Sequence, residues 1–362
     1  MNVAPSILGL ASNGPKPENS AIAVSGTFSD PGWLENLTGT IDWGDGTPVQ
    51  AIAGTLENVR PNATLAFSSS HVYGDDGTFT ANVCGFDDDT STCQNIALSV
   101  TNVIPTTVID ETGTFLVNGV PTFIVHAGVT VPFTAGSFDP GSDDRTTTWD
   151  WGDGPPSPDS TKLSLNDASF NPDPDPSPTI NPRTVTDAEP HAFGDACFYN
   201  VTFGASDDDG GSSSDSVKVI VTGNESKERS VGYWQTQYRP RPTALPEAQR
   251  LCYLAIVGFM STVFNEVRDA SAVAAAFDVM FMGQNGGSEL QQLDRQLLAA
   301  WLNFANGAFD YTELVFDSNG DGVADTQFSA VMAAAEAVRL NPASTAAELR
   351  AQRQLLQRLS GD

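Results

Sequence analysis

The chain has 362 residues, 40% of them apolar, which suffices for the cores of two or three ordinary domains and excludes wholesale disorder. Its 45 acidic residues against 17 basic ones give a formal net charge of −28, which argues against nucleic acid or an anionic membrane as a partner, since both require basic patches. No apolar run reaches the roughly 18 residues of a spanning helix, so no membrane insertion of that kind is expected.

The chain opens on Met1-Asn2-Val3-Ala4-Pro5, without the basic start and long apolar stretch of a signal peptide. Short alternating apolar runs come next, for example at 25–28, 78–83 and 96–100, separated by Gly, Pro, Asp and Asn turns. That pattern predicts an all-β domain. Three blocks punctuate it: Asp30-Pro31-Gly32, Asp42-Trp43-Gly44-Asp45-Gly46, and a stretch from His71 to Asn102. The same blocks return in the same order as Asp139-Pro140-Gly141, Asp150-Trp151-Gly152-Asp153-Gly154, and a stretch from His191 to Gly223. Blocks repeated in one order mean two copies of one domain, at 1–103 and 104–222. Each has the size and strand number of an immunoglobulin-like sandwich. The second copy carries a long insertion at about 155–190, whose Pro, Asp and Ser content predicts a surface loop or small excursion outside the core. At the joint, Asn102-Val103-Ile104-Pro105 echoes the opening of the chain, so the sequence is expected to be a piece of a longer protein.

The Trp-Gly-Asp-Gly turn, then His-x-(Tyr/Phe), then an aromatic strand and an acidic hairpin, resembles the PKD-type domain over residues 1 to about 222. That resemblance implies tandem sandwiches that act as stiff spacers or contact surfaces. Copy two departs from the pattern at Cys197, which stands where copy one has Gly77.

After Gly223 the composition shifts to Ala, Leu, Gln and Arg, and helical periodicity predicts helices at 246–267, 270–282, 289–306, 326–340 and 345–359. Pro246-Glu247 suits a first turn, Asn341-Pro342 ends the fourth helix, and Ser344 is expected to cap the fifth with Glu348 near its first turn. Val231-Gly232-Tyr233-Trp234 and the segment Leu297-Leu298-Ala299-Ala300-Trp301-Leu302-Asn303-Phe304-Ala305-Asn306-Gly307-Ala308 resemble the "GYWKNH" helical domain of secreted bacterial and archaeal surface proteins. Gln235-Thr236-Gln237 replaces that family's Lys-Asn-His. The resemblance implies a location and no chemistry. The predicted fold class is therefore multidomain: two all-β immunoglobulin-like sandwiches followed by an all-α domain at 223–362 carrying an EF-hand-like calcium loop.

That loop is the strongest chemical motif. Asp317, Asn319, Asp321 and Asp325 occupy positions 1, 3, 5 and 9 of a calcium loop, with Gly322 at the sharp turn and Val323 offering its carbonyl. Phe328 stands where a bidentate Glu is usual, so binding should be weak or completed by a nearby residue such as Asp310 or Glu313. The alternative is an acidic turn that holds no ion. The hairpins Asp87-Asp88-Asp89 and Asp207-Asp208-Asp209 crowd like charge into one turn. Some PKD-like domains bind calcium near these hairpins and the Asp-Pro-Gly loop, so the resemblance implies calcium there as one reading, and a solvated hairpin that blocks edge pairing is the other.

Four cysteines suggest an oxidising compartment. Cys84 and Cys93 flank an acidic turn and are expected to bridge; Cys197 and Cys252 would staple the helical domain to the second sandwich unless they are buried thiols. Trp43, Trp151, Asp45, Asp153, His71 and His191 are repeat equivalents, which favours a structural role. His126 stands alone, and no nucleophile elbow, phosphate loop or Cys/His cluster is apparent, so no enzyme is expected. The expected function is that of an extracellular or cell-surface, calcium-binding structural or adhesive protein. Its partner would be another copy of itself, giving a fibre or surface layer, or an extracellular polysaccharide or protein surface. The alternative is an accessory binding region of a larger secreted hydrolase.

Overall fold

The computed structural model describes residues 3–154, 159–166, 174–281 and 286–360. The first sandwich comprises β1 (Ser6–Ser12), β2 (Lys16–Pro17), β3 (Ala21–Asp30), β4 (Thr38–Asp42), β5 (Gln50–Ala51), β6 (Gly54–Val59), β7 (Asn62–Val72), β8 (Gly77–Phe86) and β9 (Ser91–Thr101). One sheet runs β1-β3-β7-β6 and the other β2-β9-β8-β4-β5. Alternation along the strands sends Ile22, Val24, Phe28, Ile41, Leu65, Phe67, Ala81, Val83, Leu98 and Val100 between the sheets, where all are buried.

The second sandwich repeats the plan with β10 (Thr106–Ile109), β11 (Phe115–Val117), β12 (Val120–His126), β13 (Thr130–Asp139), β14 (Arg145–Asp150), β15 (Ser160–Ser164), β16 (Arg183–Ala192), β17 (Phe198–Ser206) and β18 (Ser212–Thr222). Its sheets run β10-β13-β16 and β11-β12-β18-β17-β14-β15. The chain thus contains two immunoglobulin-like sandwiches. Part of the predicted insertion, at 155–158 and 167–173, lies outside the described residues. The remainder corrects the expectation of a plain loop: β15 lengthens a sheet by pairing with β14, and Ser177 is buried against the first sandwich.

Each Trp-Gly-Asp-Gly turn builds the same aromatic unit. Trp43 stacks on His71 with ring centroids 5.1 Å apart, and Trp151 on His191 at 4.6 Å. The His Nε2 atoms meet Asp45 at 2.6 Å and Asp153 at 2.8 Å. Burial opposes ionisation of Asp45, but hydrogen bonds from Thr47 and His71 outweigh it and hold its carboxyl below the usual range. Ionised Asp45 therefore stabilises the fold above the ordinary aspartate range, and this contribution is lost as pH falls through the depressed folded value. Asp45→Asn is expected to cost about 1–3 kcal/mol near neutrality. Urea unfolding of both proteins should show that gap closing in acid; a gap independent of pH would contradict it.

Strand β18 links the sandwich to the C-terminal helices. Val217, Val219 and Val221 point into the sandwich core, whereas Ile220 points the other way into the core of the helices. A strand buried on both faces reads as a continuous apolar run, as Val219-Ile220-Val221 does. Val117 and Ala196 join the same helical core, so the helices share a hydrophobic interior with the second sandwich.

The helices are α1 (Val231–Gln237), α2 (Glu247–Met260), α3 (Val273–Met280), α4 (Glu289–Asn306), α5 (Phe328–Leu340) and α6 (Ala346–Arg358), with a π-helical turn at Val263–Val267. They depart from the expectation in four ways. The region is not all-α, because β19 (Leu314–Phe316) and β20 (Thr326–Gln327) form a two-stranded ribbon. The predicted helix at 246–267 breaks at Ser261, because the Ser261 and Thr262 hydroxyls and the Thr262 N–H are drawn to Glu336. Thr345, not Ser344, caps the last helix in a reciprocal capping box with Glu348, while the Ser344 hydroxyl donates to the Val338 carbonyl. Helix α1, too short to show periodicity, was not expected.

The segments 231–234 and 297–308 meet here. Trp234 Nε1 donates to Asn303 Oδ1 at 2.9 Å, and Tyr253 OH donates to Asn306 Oδ1 at 3.0 Å. Gly307 ends α4 in the left-handed region, and a Cβ on it would lie 2.0 Å from the Gly223 carbonyl oxygen. Only glycine fits that close backbone crossing.

Candidate metal centre

The loop at 317–325 lies between β19 and β20, so the two strands of one ribbon flank it rather than the two helices of an EF-hand. Phe328 is the first residue of α5 and is fully buried. Asp317 accepts from the Gly320 and Gly322 N–H groups, Asn319 from Asp321 N–H, and Asp321 from Val323 N–H. Asp325 accepts from the Ser318 N–H and hydroxyl. The side chains thus close onto their own loop backbone. Asp310 is engaged elsewhere, with Oδ1 2.8 Å from His126 Nε2, and Glu313 accepts from Asp310 N–H.

Carboxylates converge instead at the joint between the sandwiches. Glu18, just before β3, meets Asp139, the last residue of β13, and Asp143, in the loop that follows it; Asp143 also meets Asp75, from the turn after β7, and Asp209, from the β17–β18 hairpin. In each triad one oxygen per residue lies within 4.8 Å of the others. Glu18, Asp139 and Asp143 are 2%, 0% and 2% exposed. The backbone places them. Val103 N–H donates to Glu18 Oε1 at 2.6 Å, Gly141 N–H to Asp139 Oδ1 at 2.8 Å, and Asp75 accepts from Asp76 and Ser177 N–H. Ser142 N–H reaches across to the Gly74 carbonyl at 2.7 Å. Burial pushes the Glu18, Asp143 and Asp209 carboxyls well above the usual range, and repulsion between the acids adds to it. Asp139 and Asp75 are raised as well, again chiefly by burial.

Sequence reading reached part of this cluster through the Asp-Pro-Gly loop and the second acidic hairpin. It missed Glu18, Asp75 and Asp143, because nothing local marks any of them as facing another domain. The first hairpin fares differently: Asp87, Asp88 and Asp89 belong to neither triad, and Asp87 accepts from the Asp89 and Thr90 N–H groups within its own turn.

The joint between the second sandwich and the helices is chemically the opposite. Ile22 pairs with His71 and Val131 with His191, which makes Ala127 the counterpart of Glu18, Ala196 of Asp76, and Cys197 of Gly77. Ala196 enters the helical core, its carbonyl accepts from Gln249, and Cys197 is bonded to Cys252. Gly77 has φ +138°, whereas Cys197 does not have a positive φ, so the departure at Cys197 changes the turn and builds the joint. Cys84 and Cys93 also form a disulfide, directly across β8 and β9.

No protein-family model matches the chain, and no curated protein matches it. Among solved structures it is similar to titin domains Z1Z2 in complex with telethonin, at 12% identity over 62% of this chain and 100% of that one, with a TM-score of 0.29. It is also similar to the mouse nectin-like molecule 4 ectodomain, at 11% over 61% and 65%, with a TM-score of 0.25. A third is the PKD domain of an M14-like peptidase from a Thermoplasmatales archaeon, at 18% over 33% and 92%, with a TM-score of 0.19. At these scores the fold assignment rests on the sheet topology and not on the likeness.

Proposed function

We propose that the chain is a structural or adhesive module of an extracellular surface, built from PKD-type sandwiches and a helical end piece, that works as one stiff unit. The observation that carries this reading is that both joints are built rather than loosely linked. Between β9 and β10 only residues 102–105 intervene, and Asn102 and Val103 are both hydrogen-bonded across the joint. At the other joint a disulfide and a shared core hold the helices. Two disulfides suit an oxidising, extracellular setting. Among the described residues no helix is long and apolar enough to cross a membrane. Self-association would turn such a unit into a fibre or layer.

Solution scattering should give a single elongated form, and electron microscopy at high concentration should show filaments or sheets. A flexible ensemble would sink the stiff-unit reading. Retention on an insoluble polysaccharide without any filament would favour an accessory binding region of a larger secreted hydrolase.

Calcium at the loop of Asp317, Asn319, Asp321, Val323 and Asp325 belongs to this proposal. With Phe328 in place of the twelfth ligand, Kd is expected at about 0.1–1 mM, the range of extracellular modules. Titration calorimetry of the double variant Asp317→Ala, Asp321→Ala should lack that weak event; an identical titration would remove calcium from the loop.

A further inference from the structure

We propose that the joint between the two sandwiches is a two-cation site for calcium, bridged by Asp143, that fixes the orientation of one sandwich on the other. It is separate from the loop at 317–325 and does not depend on it.

Three observations carry this. The first is geometry. Oxygens within 4.8 Å of one another fit around an ion whose ligands sit at about 2.3–2.6 Å. Two such triads share Asp143, whose carboxylate has two oxygens to divide between two ions.

The second is unmet demand. Glu18 Oε2, Asp139 Oδ2 and both Asp143 oxygens are buried without a hydrogen-bond partner among the described residues. Their sister oxygens on Glu18 and Asp139 are fixed by backbone N–H groups, which holds each side chain in place with one oxygen unmet. No Lys, Arg or His of the described residues forms a salt bridge with Glu18, Asp75, Asp139, Asp143 or Asp209. Arg145 is near enough to influence Asp139 but gives its hydrogen bonds to the Ser137 and Arg183 carbonyls. Buried carboxylates are tolerated when paired or when they coordinate a metal. Two divalent ions would bring four positive charges to these five acids.

The third is the contrast between the joints. At the second joint, where a disulfide and apolar packing hold the modules, the counterpart of buried Glu18 is Ala127, while Asp75 keeps an acidic counterpart in Asp195. The deeply buried acid at the Glu18 position is thus present at the joint without a disulfide and replaced by alanine at the joint that has one.

The ligand chemistry selects the ion. The cluster is all oxygen, with no Cys or His, which disfavours zinc and copper. Ligands drawn from four separate segments form an irregular cage, which suits calcium better than the strict octahedron of magnesium. The ion held by Glu18, Asp139 and Asp143 lies deep, and the one held by Asp75, Asp143 and Asp209 lies at the rim, since Asp209 is exposed.

The test uses the full chain and calcium chloride, with magnesium chloride as the control. Equilibrium dialysis should find two more calcium ions on the wild type than on Asp143→Asn. Asp209→Asn should lose only the rim ion. The double variant of the 317–325 loop should keep both joint ions, so failure there and failure here are distinguishable. Thermal unfolding guards against a folding defect. Asp143→Asn relieves repulsion, so it should melt above the wild type in chelator and below it in calcium. Scattering should show the wild type becoming less extended or more variable on chelation. Unchanged calcium stoichiometry in Asp143→Asn, or a melting order that does not invert, would overturn the proposal.

Discussion

Replacing both Cys197 and Cys252 with alanine is expected to destabilise the chain by about 4 kcal/mol, since the bond closes 55 residues and loop-closure entropy grows with the logarithm of that number. The same relation gives only about 2.5 kcal/mol for Cys84–Cys93, whose separation is 9. Position widens the difference. Cys84 and Cys93 face each other on strands already paired along their length, so little geometry depends on their bond. Cys197 and Cys252 tie a sandwich to a helix. The shared core around Val117, Ala196 and Ile220 remains when they are lost, so docking should weaken rather than vanish. Thermal unfolding followed by near-ultraviolet dichroism should therefore show a lower transition for the double variant, with the helices melting ahead of the sandwiches. The Cys84→Ala, Cys93→Ala pair serves as the comparison. A Cys197/Cys252 variant no less stable than that comparison would contradict the argument.

Much of the fold was legible because it was written twice. The repeated Trp-Gly-Asp-Gly and His-x-aromatic blocks carry local turn and stacking chemistry, and two copies in one order distinguish a domain from a coincidence. The disulfide partners were legible for a similar reason, since Cys84 and Cys93 fall opposite one another in a hairpin. The hidden part depends on approach between distant segments. Glu18 comes after a two-residue strand and reads as an ordinary surface acid, yet it is bonded to Val103, 85 residues away. Asp75 reads as half of a turn, yet it accepts from Ser177, 102 residues away. The calcium-loop spacing was visible, but its flanking ribbon was not, because strands of two and three residues carry no period.

Glu336 is the sharpest case, and its removal is the second large expected effect. In the sequence it interrupts an alanine-rich helical run and looks like a solvated charge. In the fold it is 5% exposed, and its carboxylate accepts four hydrogen bonds: from Trp301 Nε1 at 2.8 Å, Ser261 Oγ at 2.5 Å, Thr262 Oγ1 at 2.6 Å and Thr262 N–H at 3.0 Å. It thereby joins α5 to α4 and to the break after α2. Glu336→Ala leaves the Ser261 hydroxyl and the Trp301 N–H buried without an acceptor, and should cost about 3–5 kcal/mol, as removal of one partner from a buried charged network does. Glu336→Gln keeps one carbonyl oxygen but turns an NH2 group toward donors, so its loss should fall between. Glu336→Leu separates packing from polarity: it fills the space yet strands the same donors. If Leu restored stability to the level of the wild type, hydrogen bonding would not be what Glu336 contributes. Chemical unfolding of the three variants decides this. The order expected is Gln above Leu and Ala, because buried donors without acceptors cost more than a partial mismatch does.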